Sequence, residues 1–88
     1  MNLVYTSRFK KDFGRMIRHN KNEEKLWDIV GLLLKGQPLP RKCKDHPLGG
    51  NWVNRRDCAI EPDWLLIYCT SEDDLILERT GTHSVLFK

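Results

Sequence analysis

The sequence predicts an α+β fold in which two N-terminal helices pack on a small, largely antiparallel sheet. Apolar residues recur at helical spacing in two segments between residues 7 and 36, and three strand-like runs follow residue 50. A short β-prone run at residues 3–6 precedes the helices. The predicted element order is therefore β-α-α-β-β-β. Because 88 residues are short for two domains, we expect a single domain over residues 1–88.

The first helix is predicted to begin at Ser7, whose side chain can cap it, and to stop near Asn20. Lys10 and Lys11 lie on its basic face. The opposite face is apolar at i, i+4, i+7 and i+8, which is the spacing of one buried helix face. The residues of that apolar face are Phe9, Phe13, Met16 and Ile17.

The second helix is predicted to begin after Asn22, with Glu23 and Glu24 in its first turn, where the positive end of the helix dipole favours carboxylates. Gly36 is the expected end of this helix. Its apolar stripe consists of Leu26, Ile29, Val30, Leu33 and Leu34.

The second half of the chain is predicted to be a loop followed by three strands. Proline and glycine are frequent between residues 37 and 50, which indicates the loop. The strands are predicted at residues 52–60, 64–69 and 75–80, with an acidic hairpin turn at residues 71–74. Because residues 64–69 are continuously apolar, we expect a central strand that is covered on both faces.

Composition narrows the class of protein. No apolar run approaches the roughly 20 residues that a membrane-spanning helix needs, and residues 1–5 do not resemble the start of a signal peptide. The cysteines Cys43, Cys58 and Cys69 are odd in number and irregularly spaced, which argues against a disulfide framework and for a reducing cytosol. The net charge of +3 is compatible with RNA or with an acidic protein partner, and it does not decide between them.

Two histidines and two acids point to acid–base chemistry on a phosphodiester. His46 lies in a proline turn, His83 lies near the C-terminal end, and Asp57 and Asp63 lie between them. Cleavage of RNA by its own 2′-hydroxyl requires one proton to be taken and another to be given, and imidazole suits both tasks near neutral pH. Taken singly, each histidine is more often a solvated residue, and each acid is more often a surface ion-pair partner.

A metal site is the weaker interpretation of the same region. Cys43 and His46 have a ligand-like spacing, which Cys58 or His83 could complete. Structural zinc sites usually show two close ligand pairs, whereas this sequence has one weak pair. We therefore expect neither a metal nor another cofactor.

Five stretches of the second half resemble the YafQ branch of the RelE/ParE toxin superfamily. They are residues 44–48 (Lys-Asp-His-Pro-Leu), 56–57 (Arg-Asp), 61–68 (Glu-Pro-Asp-Trp-Leu-Leu-Ile-Tyr), 78–83 (Glu-Arg-Thr-Gly-Thr-His) and 86–87 (Leu-Phe). The resemblance implies a RelE-like fold and a bacterial, cytoplasmic mRNA interferase of a type II toxin–antitoxin system. Such a toxin enters the ribosomal A site and cuts translated mRNA there. Its cognate antitoxin silences it, and operator DNA is bound only through the antitoxin complex.

Carried over by position, the resemblance implies a site without a metal, because the 2′-hydroxyl of the RNA is the nucleophile. His83 would be the general acid, and His46 would act as the base or orient the phosphate. Asp57 and Asp63 would orient and tune the histidines, and Phe87 would stack on a base. RNA phosphates would be bound by Arg56 and Arg79, and Lys10 and Lys11 could follow the phosphates of ribosomal RNA.

Ala59 departs from the pattern of the resembled branch, which typically carries histidine at this position. Residues 57 and 59 would share a strand face, so Ala59 would leave a gap beside Asp57. The chain is either a natural member that works with His46 and His83, or a His→Ala form made so that a toxic protein could be produced. We favour the second explanation and expect weakened catalysis.

Two non-catalytic functions remain open. A ParE-like relative on the same fold would block DNA gyrase without any chemistry, and fold alone does not separate the two activities. Such a module would need neither His46 nor His83. A degenerate toxin that only binds its antitoxin is the other alternative, and Ala59 is compatible with it.

Overall fold

The computed structural model describes residues 1–87 and contains three helices and a five-stranded sheet. The strands run in the order β1-β5-β4-β3-β2; β1 is parallel to β5, and every other neighbouring pair is antiparallel. This architecture confirms the predicted α+β fold with two N-terminal helices on a largely antiparallel sheet. The elements are β1 (Asn2–Tyr5), α1 (Ser7–Arg18), α2 (Glu23–Leu34), β2 (His46–Pro47), β3 (Arg56–Glu61), β4 (Trp64–Thr70), β5 (Asp74–Gly81) and α3 (His83–Leu86).

Strand β4 lies in the middle of the sheet and is buried from Trp64 to Tyr68, as its apolar run predicted. On one face, α1 and α2 cover a large apolar core that includes Phe9, Leu26 and Leu66. On the other face, Leu65, Ile67 and Leu86 form a smaller cluster with Leu48, Trp52, Ala59 and Val85 packed against it. Only short segments cover this second face, so it has room for a cavity.

Helix α1 is capped by Thr6 rather than by Ser7, so the predicted cap was wrong by one residue. The Thr6 hydroxyl oxygen accepts a hydrogen bond from the Phe9 N–H at 3.0 Å and donates one to the Glu78 carbonyl at 2.7 Å. One side chain therefore both starts the helix and ties it to β5. The helix ends at Arg18, and the backbone turns in the left-handed region at Asn20 (φ 62°).

Helix α2 begins and ends as predicted. The Asn22 side-chain oxygen accepts a hydrogen bond from the Glu24 N–H at 3.0 Å. At the other end Gly36 has φ 67°, and the N–H groups of Gly36 and Gln37 bond to the carbonyls of Leu33 and Leu32. This is a Schellman ending, in which glycine supplies the left-handed conformation.

Three predictions for the second half were wrong in detail. The predicted strand at 52–60 begins only at Arg56, because residues 50–52 form a 3-10 turn and Asn54 is left-handed (φ 69°). Strand β2 lies inside the predicted loop and pairs with β3. Helix α3 follows the last strand and was not predicted, because four residues are too short to show a helical period.

A buried carboxylate fastens α1 to β5. Asp12 is 5% exposed and accepts hydrogen bonds from Arg79 Nε at 2.9 Å, Arg79 Nη2 at 2.8 Å and the Thr80 N–H at 3.3 Å. Removal of either charge would leave its partner buried and unpaired, which is strongly unfavourable. The pair therefore fixes how the first helix lies on the sheet. No helix of the described residues is long and apolar enough to cross a membrane.

We predict that Thr80→Val lowers the free energy of unfolding by about 1–3 kcal/mol. The indole N–H of fully buried Trp64 donates to the Thr80 hydroxyl at 2.8 Å, and this hydroxyl donates to the Leu65 carbonyl at 2.6 Å. Valine keeps the shape of the side chain but leaves the indole donor unsatisfied. Urea unfolding measures the change. Thr70→Val, at an exposed site, is the matched control, and equal midpoints for the two variants would contradict the prediction.

Candidate active site

His46 is held in place by the backbone of its own turn. A 3-10 turn at Arg41–Cys43 ends at Lys44, which is left-handed (φ 49°, ψ 43°). His46 Nδ1 lies 2.5 Å from the Lys44 carbonyl oxygen. Because a carbonyl can only accept, Nδ1 carries the proton, and the lone pair of the neutral ring is on Nε2. His46 is therefore arranged to accept a proton at Nε2.

The turn that carries His46 is anchored to the centre of the sheet by Asp45. The Tyr68 hydroxyl donates to Asp45 Oδ1 at 2.6 Å, and Arg56 Nε donates to the same oxygen at 3.2 Å. Burial, followed by the bond to Asp45, raises the pKa of Tyr68, so this hydroxyl stays a donor throughout the physiological range. The bond to Asp45 also raises the pKa of Arg56. Arg56 Nε is therefore occupied by its hydrogen bond to Asp45 in the turn.

His83 is the first residue of α3, after the helix cap Thr82, and pairs with Asp63. Asp63 Oδ1 lies 2.6 Å from His83 Nδ1 and accepts the His83 backbone N–H at 2.9 Å. These two bonds, the backbone one first, lower the pKa of Asp63. An ionised Asp63 places the imidazole proton on Nδ1, and protonation of His83 then puts a second N–H on Nε2.

Asp57 is a buried carboxylate that faces both histidines. It lies opposite His46 in the β2–β3 register, with its Oδ2 3.7 Å from His46 Nε2. Its Oδ1 is buried and has no hydrogen-bond partner among the described residues. Burial raises the pKa of Asp57, and the positive charges that His46 and His83 can carry oppose this effect. Perturbed carboxyl groups of this kind are concentrated at functional sites.

One cavity of ≈ 420 Å³ brings four of the predicted site residues together. His46, Asp57, Ala59 and His83 all line it. Beside Ala59 the β3–β4 register shifts by one residue, which is a β-bulge of the sort often found next to active sites. Asp63 is connected to the cavity through its bond to His83. The proline turn and the C-terminal helix thus converge on one space.

Five other predicted site residues lie outside the lining that the described residues provide. Arg79 makes both of its hydrogen bonds to Asp12, so a phosphate contact would require this pair to break. Phe87 is 39% exposed just after α3. Arg56 donates a hydrogen bond to Asp45. Lys10 and Lys11 are exposed on α1.

Sequence reasoning missed the cations that do line the cavity. They are Lys25, Lys42 and Lys44. Lys25 also bonds to Glu61 at 2.9 Å, and Lys21 bonds to Glu61 at 3.0 Å, so α2 is tied to the β3–β4 hairpin beside the cavity. Lys44 belongs to the same short motif as His46, and that proximity was the available signal. Lysines in a loop otherwise look like ordinary solvated residues.

The three cysteines are among the residues that could bind a metal ion. Cys43 and Cys58 are buried, Cys69 is partly buried, and all three are free thiols. Burial raises the pKa of Cys43, which lines the cavity. Between residues 1 and 87, no group of three His, Cys, Asp or Glu side chains converges closely enough to hold a metal ion.

The two helices packed on the largely antiparallel sheet give the chain a RelE-like fold, and His46, Asp57 and His83 line one cavity in it. The chain belongs to the YafQ family, because the family described as bacterial toxin of type II toxin–antitoxin system, YafQ, matches residues 1–88.

Individual relatives agree with the family assignment. The mRNA interferase toxin YafQ of Escherichia coli strain K12 is 42% identical over 86 residues, which cover 97% of this chain and 94% of that protein. The crystal structure of YafQ from E. coli strain BL21(DE3) superposes with a TM-score of 0.93 at 40% identity, covering 99% of this chain and 98% of that one. A crystal structure of the E. coli DinJ–YafQ complex gives a TM-score of 0.91 at 41% identity, with the same coverage.

We predict that Asp57→Asn stabilises the folded protein at pH 7 and that this gain disappears in acid. The raised pKa means that the folded state binds the Asp57 proton more tightly than the unfolded state does. Stability therefore falls as pH rises from about 4 through the folded pKa, and asparagine removes this loss. Chemical unfolding of both forms between pH 3 and pH 7 measures the difference.

Asp63→Asn is the control of opposite sign. The pKa of Asp63 is lowered, so its ionised form favours folding above the ordinary carboxyl pKa, and this contribution is lost as pH falls through the folded pKa. We expect the asparagine form to be less stable at pH 7 and equal to the parent in acid. If the stability of both variants relative to the parent changes with pH in the same direction, the assignment of a buried carboxylate with a raised pKa to Asp57 is wrong.

Proposed function

We propose that this protein is a ribosome-dependent endoribonuclease toxin that cleaves translated mRNA in the ribosomal A site. We propose that it acts as a single domain over residues 1–88 in the bacterial cytoplasm. Membership of the YafQ family supports the proposal, as does the name mRNA interferase toxin carried by the E. coli relative. The observation that carries it is that His46 and His83 line the same cavity, each with Nδ1 bound to an oxygen acceptor.

His46 acts as the general base in this mechanism. Its Nε2 takes the proton from a ribose 2′-hydroxyl, whose oxygen then attacks the adjacent phosphorus in line with the leaving oxygen. The imidazolium that forms lies 3.7 Å from the Asp57 carboxylate, in a partly desolvated space where opposite charges attract strongly. Asp57 thus stabilises the product of the first proton transfer.

His83 acts as the general acid. Protonated His83 carries N–H on both ring nitrogens; Asp63 accepts from Nδ1, and Nε2 gives its proton to the 5′-oxygen as the P–O bond breaks. The products are a 2′,3′-cyclic phosphate and a 5′-hydroxyl. The RNA supplies the nucleophile and the histidines supply both proton transfers, so the mechanism is metal-independent.

The remaining predicted contacts bind RNA around this centre. Phe87 is 39% exposed next to α3, and we propose that it stacks on a base, a contact worth about 1–3 kcal/mol. Arg56 is 43% exposed at its side chain and can meet a phosphate with the nitrogens that Asp45 does not use. Lys10 and Lys11 can follow the phosphates of ribosomal RNA from the exposed side of α1.

A cognate antitoxin is the proposed protein partner. The E. coli relative has been crystallised in complex with DinJ, and this chain has a net charge of +3. We propose that an antitoxin neutralises the toxin and that operator DNA is bound only through the resulting complex. The free toxin would then act on the ribosome and its mRNA.

We propose that Ala59 weakens the catalytic site without rearranging it. Ala59 lines the cavity in β3, two residues from Asp57, and its backbone pairs with Leu65. A histidine here would place a third imidazole among His46, Asp57 and His83. Its absence leaves two histidines to carry out both proton transfers.

We predict that His83→Ala and His46→Ala each reduce mRNA cleavage by about 10²–10⁴-fold. Primer extension on a translated mRNA, with ribosomes present, measures cleavage within the reading frame. His19→Ala is the matched control, because His19 is an exposed histidine at the end of α1 and does not line the catalytic cavity. If all three variants cut as well as the parent, the histidine mechanism is wrong.

We predict that Ala59→His increases the cleavage rate by about 10²-fold, the lower end of what one acid–base group contributes. Ala59→Phe is the control, because it fills the same space without a titratable nitrogen. Growth arrest after induction measures toxicity, and primer extension measures mRNA cleavage. Equal toxicity of the alanine and histidine forms would remove the weakening hypothesis. If the histidine form makes no cut at all, the non-catalytic antitoxin- or gyrase-binding function is favoured.

A further inference from the structure

Two lysines next to His46 line the catalytic cavity and were not assigned a role by the sequence. Lys42 and Lys44 flank Cys43 in the turn that leads to His46, and both are exposed. Within residues 1–87 neither lysine forms an ion pair, whereas Lys25, the third lysine of the lining, bonds to Glu61 at 2.9 Å. Lys42 and Lys44 are thus the lining cations whose charge the described residues leave uncompensated.

The other cations that could meet a phosphate are less well placed. Arg79 is held by two bonds to buried Asp12, and Arg56 is held by Asp45. Lys10 and Lys11 lie on α1, outside the cavity lining. A phosphodiester placed between His46 and His83 carries a negative charge, and the charge on its oxygens increases as the nucleophile attacks. A cationic group that stays charged throughout the reaction would stabilise it.

We propose that Lys42 and Lys44 are the phosphate-binding residues of this cavity, and that they contact the scissile RNA phosphate or its immediate neighbour. The proposal rests on the function proposed above. Lys44 has two tasks in this proposal, since its carbonyl fixes the His46 ring through Nδ1 and the residue itself lines the cavity. Phosphate binding and base orientation are thereby coupled through one residue.

The first test measures binding of a 2′-O-methyl RNA trinucleotide, which keeps the phosphates but cannot be cleaved. The variant Lys42→Gln with Lys44→Gln is compared with the control pair Arg8→Gln with Lys35→Gln, which removes the same charge from exposed positions outside the cavity lining. Each lost phosphate contact reduces the slope of log K against log salt by about 0.7 for single strands. We expect a reduction of about 0.7 if the two cavity lysines share one phosphate and about 1.4 if each binds its own, and no change for the control pair. Equal slopes for the two variants would overturn the proposal.

The second test measures single-turnover cleavage on programmed ribosomes at saturating toxin. We expect the cavity pair to lower the saturated rate by about 10²-fold, the effect of losing one stabilising donor. The control pair should leave the saturated rate at the parent value, and Lys44→Arg, which keeps the charge, should retain most of the rate. Equal saturated rates for the two double variants would overturn the proposal. If the parent protein cleaves nothing while the difference in salt slope persists, the nuclease function fails and the phosphate site stands.

Discussion

The hydrogen bond from the Tyr68 hydroxyl to Asp45 is the contact on which the geometry of the cavity depends. Tyr68 lies in the central strand and is 2% exposed, so its position is fixed by the core. Asp45 accepts this bond at 2.6 Å and a second from Arg56. The adjoining strand β2 has only two residues and could not position the turn alone. Through Asp45 the turn that carries Lys44 and His46 is attached to the rigid sheet, so the His46 ring has a fixed orientation although it lies in a loop rich in proline and glycine.

Asp57 shows that the site is built at a cost in stability. A buried carboxylate with one unpaired oxygen opposes folding whenever it is ionised. Apolar packing at this position would make a more stable protein, but it would remove the negative charge that His46 meets after taking a proton. In the β3–β4 register Asp57 pairs with Ile67 of the smaller cluster, and Asp57 also lines the cavity. Stability is supplied on the helix-covered face instead, where the larger apolar core lies.

The sequence predicted the structural features that depend on local residue patterns. It did not predict the features that depend on contacts between residues far apart in the chain. Helices α1 and α2 and strands β4 and β5 follow from apolar spacing and from capping residues such as Asn22 and Gly36. The sequence itself singled out the two histidines and two aspartates, and the resemblance to the YafQ branch gave their expected roles. The ion pair between Arg79 and Asp12 could not be predicted from the sequence. The two residues are 67 positions apart, and only the packing of α1 on β5 brings them together. The lysines that line the cavity could not be predicted either, because the local sequence does not distinguish a solvated lysine from one that lies beside a folded site.

His46, His83 and residue 59 of this cavity are held by different means, and that difference explains how Ala59 can be accommodated. His46 is oriented by a backbone carbonyl, and His83 is oriented by Asp63. Position 59 is oriented only by the register of β3 against β4, in which its backbone pairs with Leu65 whatever side chain it carries. Neither His46 nor His83 uses residue 59 as a hydrogen-bond partner. Loss of an imidazole at this position therefore removes a proton carrier and some charge from the cavity, while the two remaining rings keep their acceptors and their tautomers. The cavity thus consists of a scaffold that orients His46 and His83 and of a side chain at position 59 on which neither orientation depends.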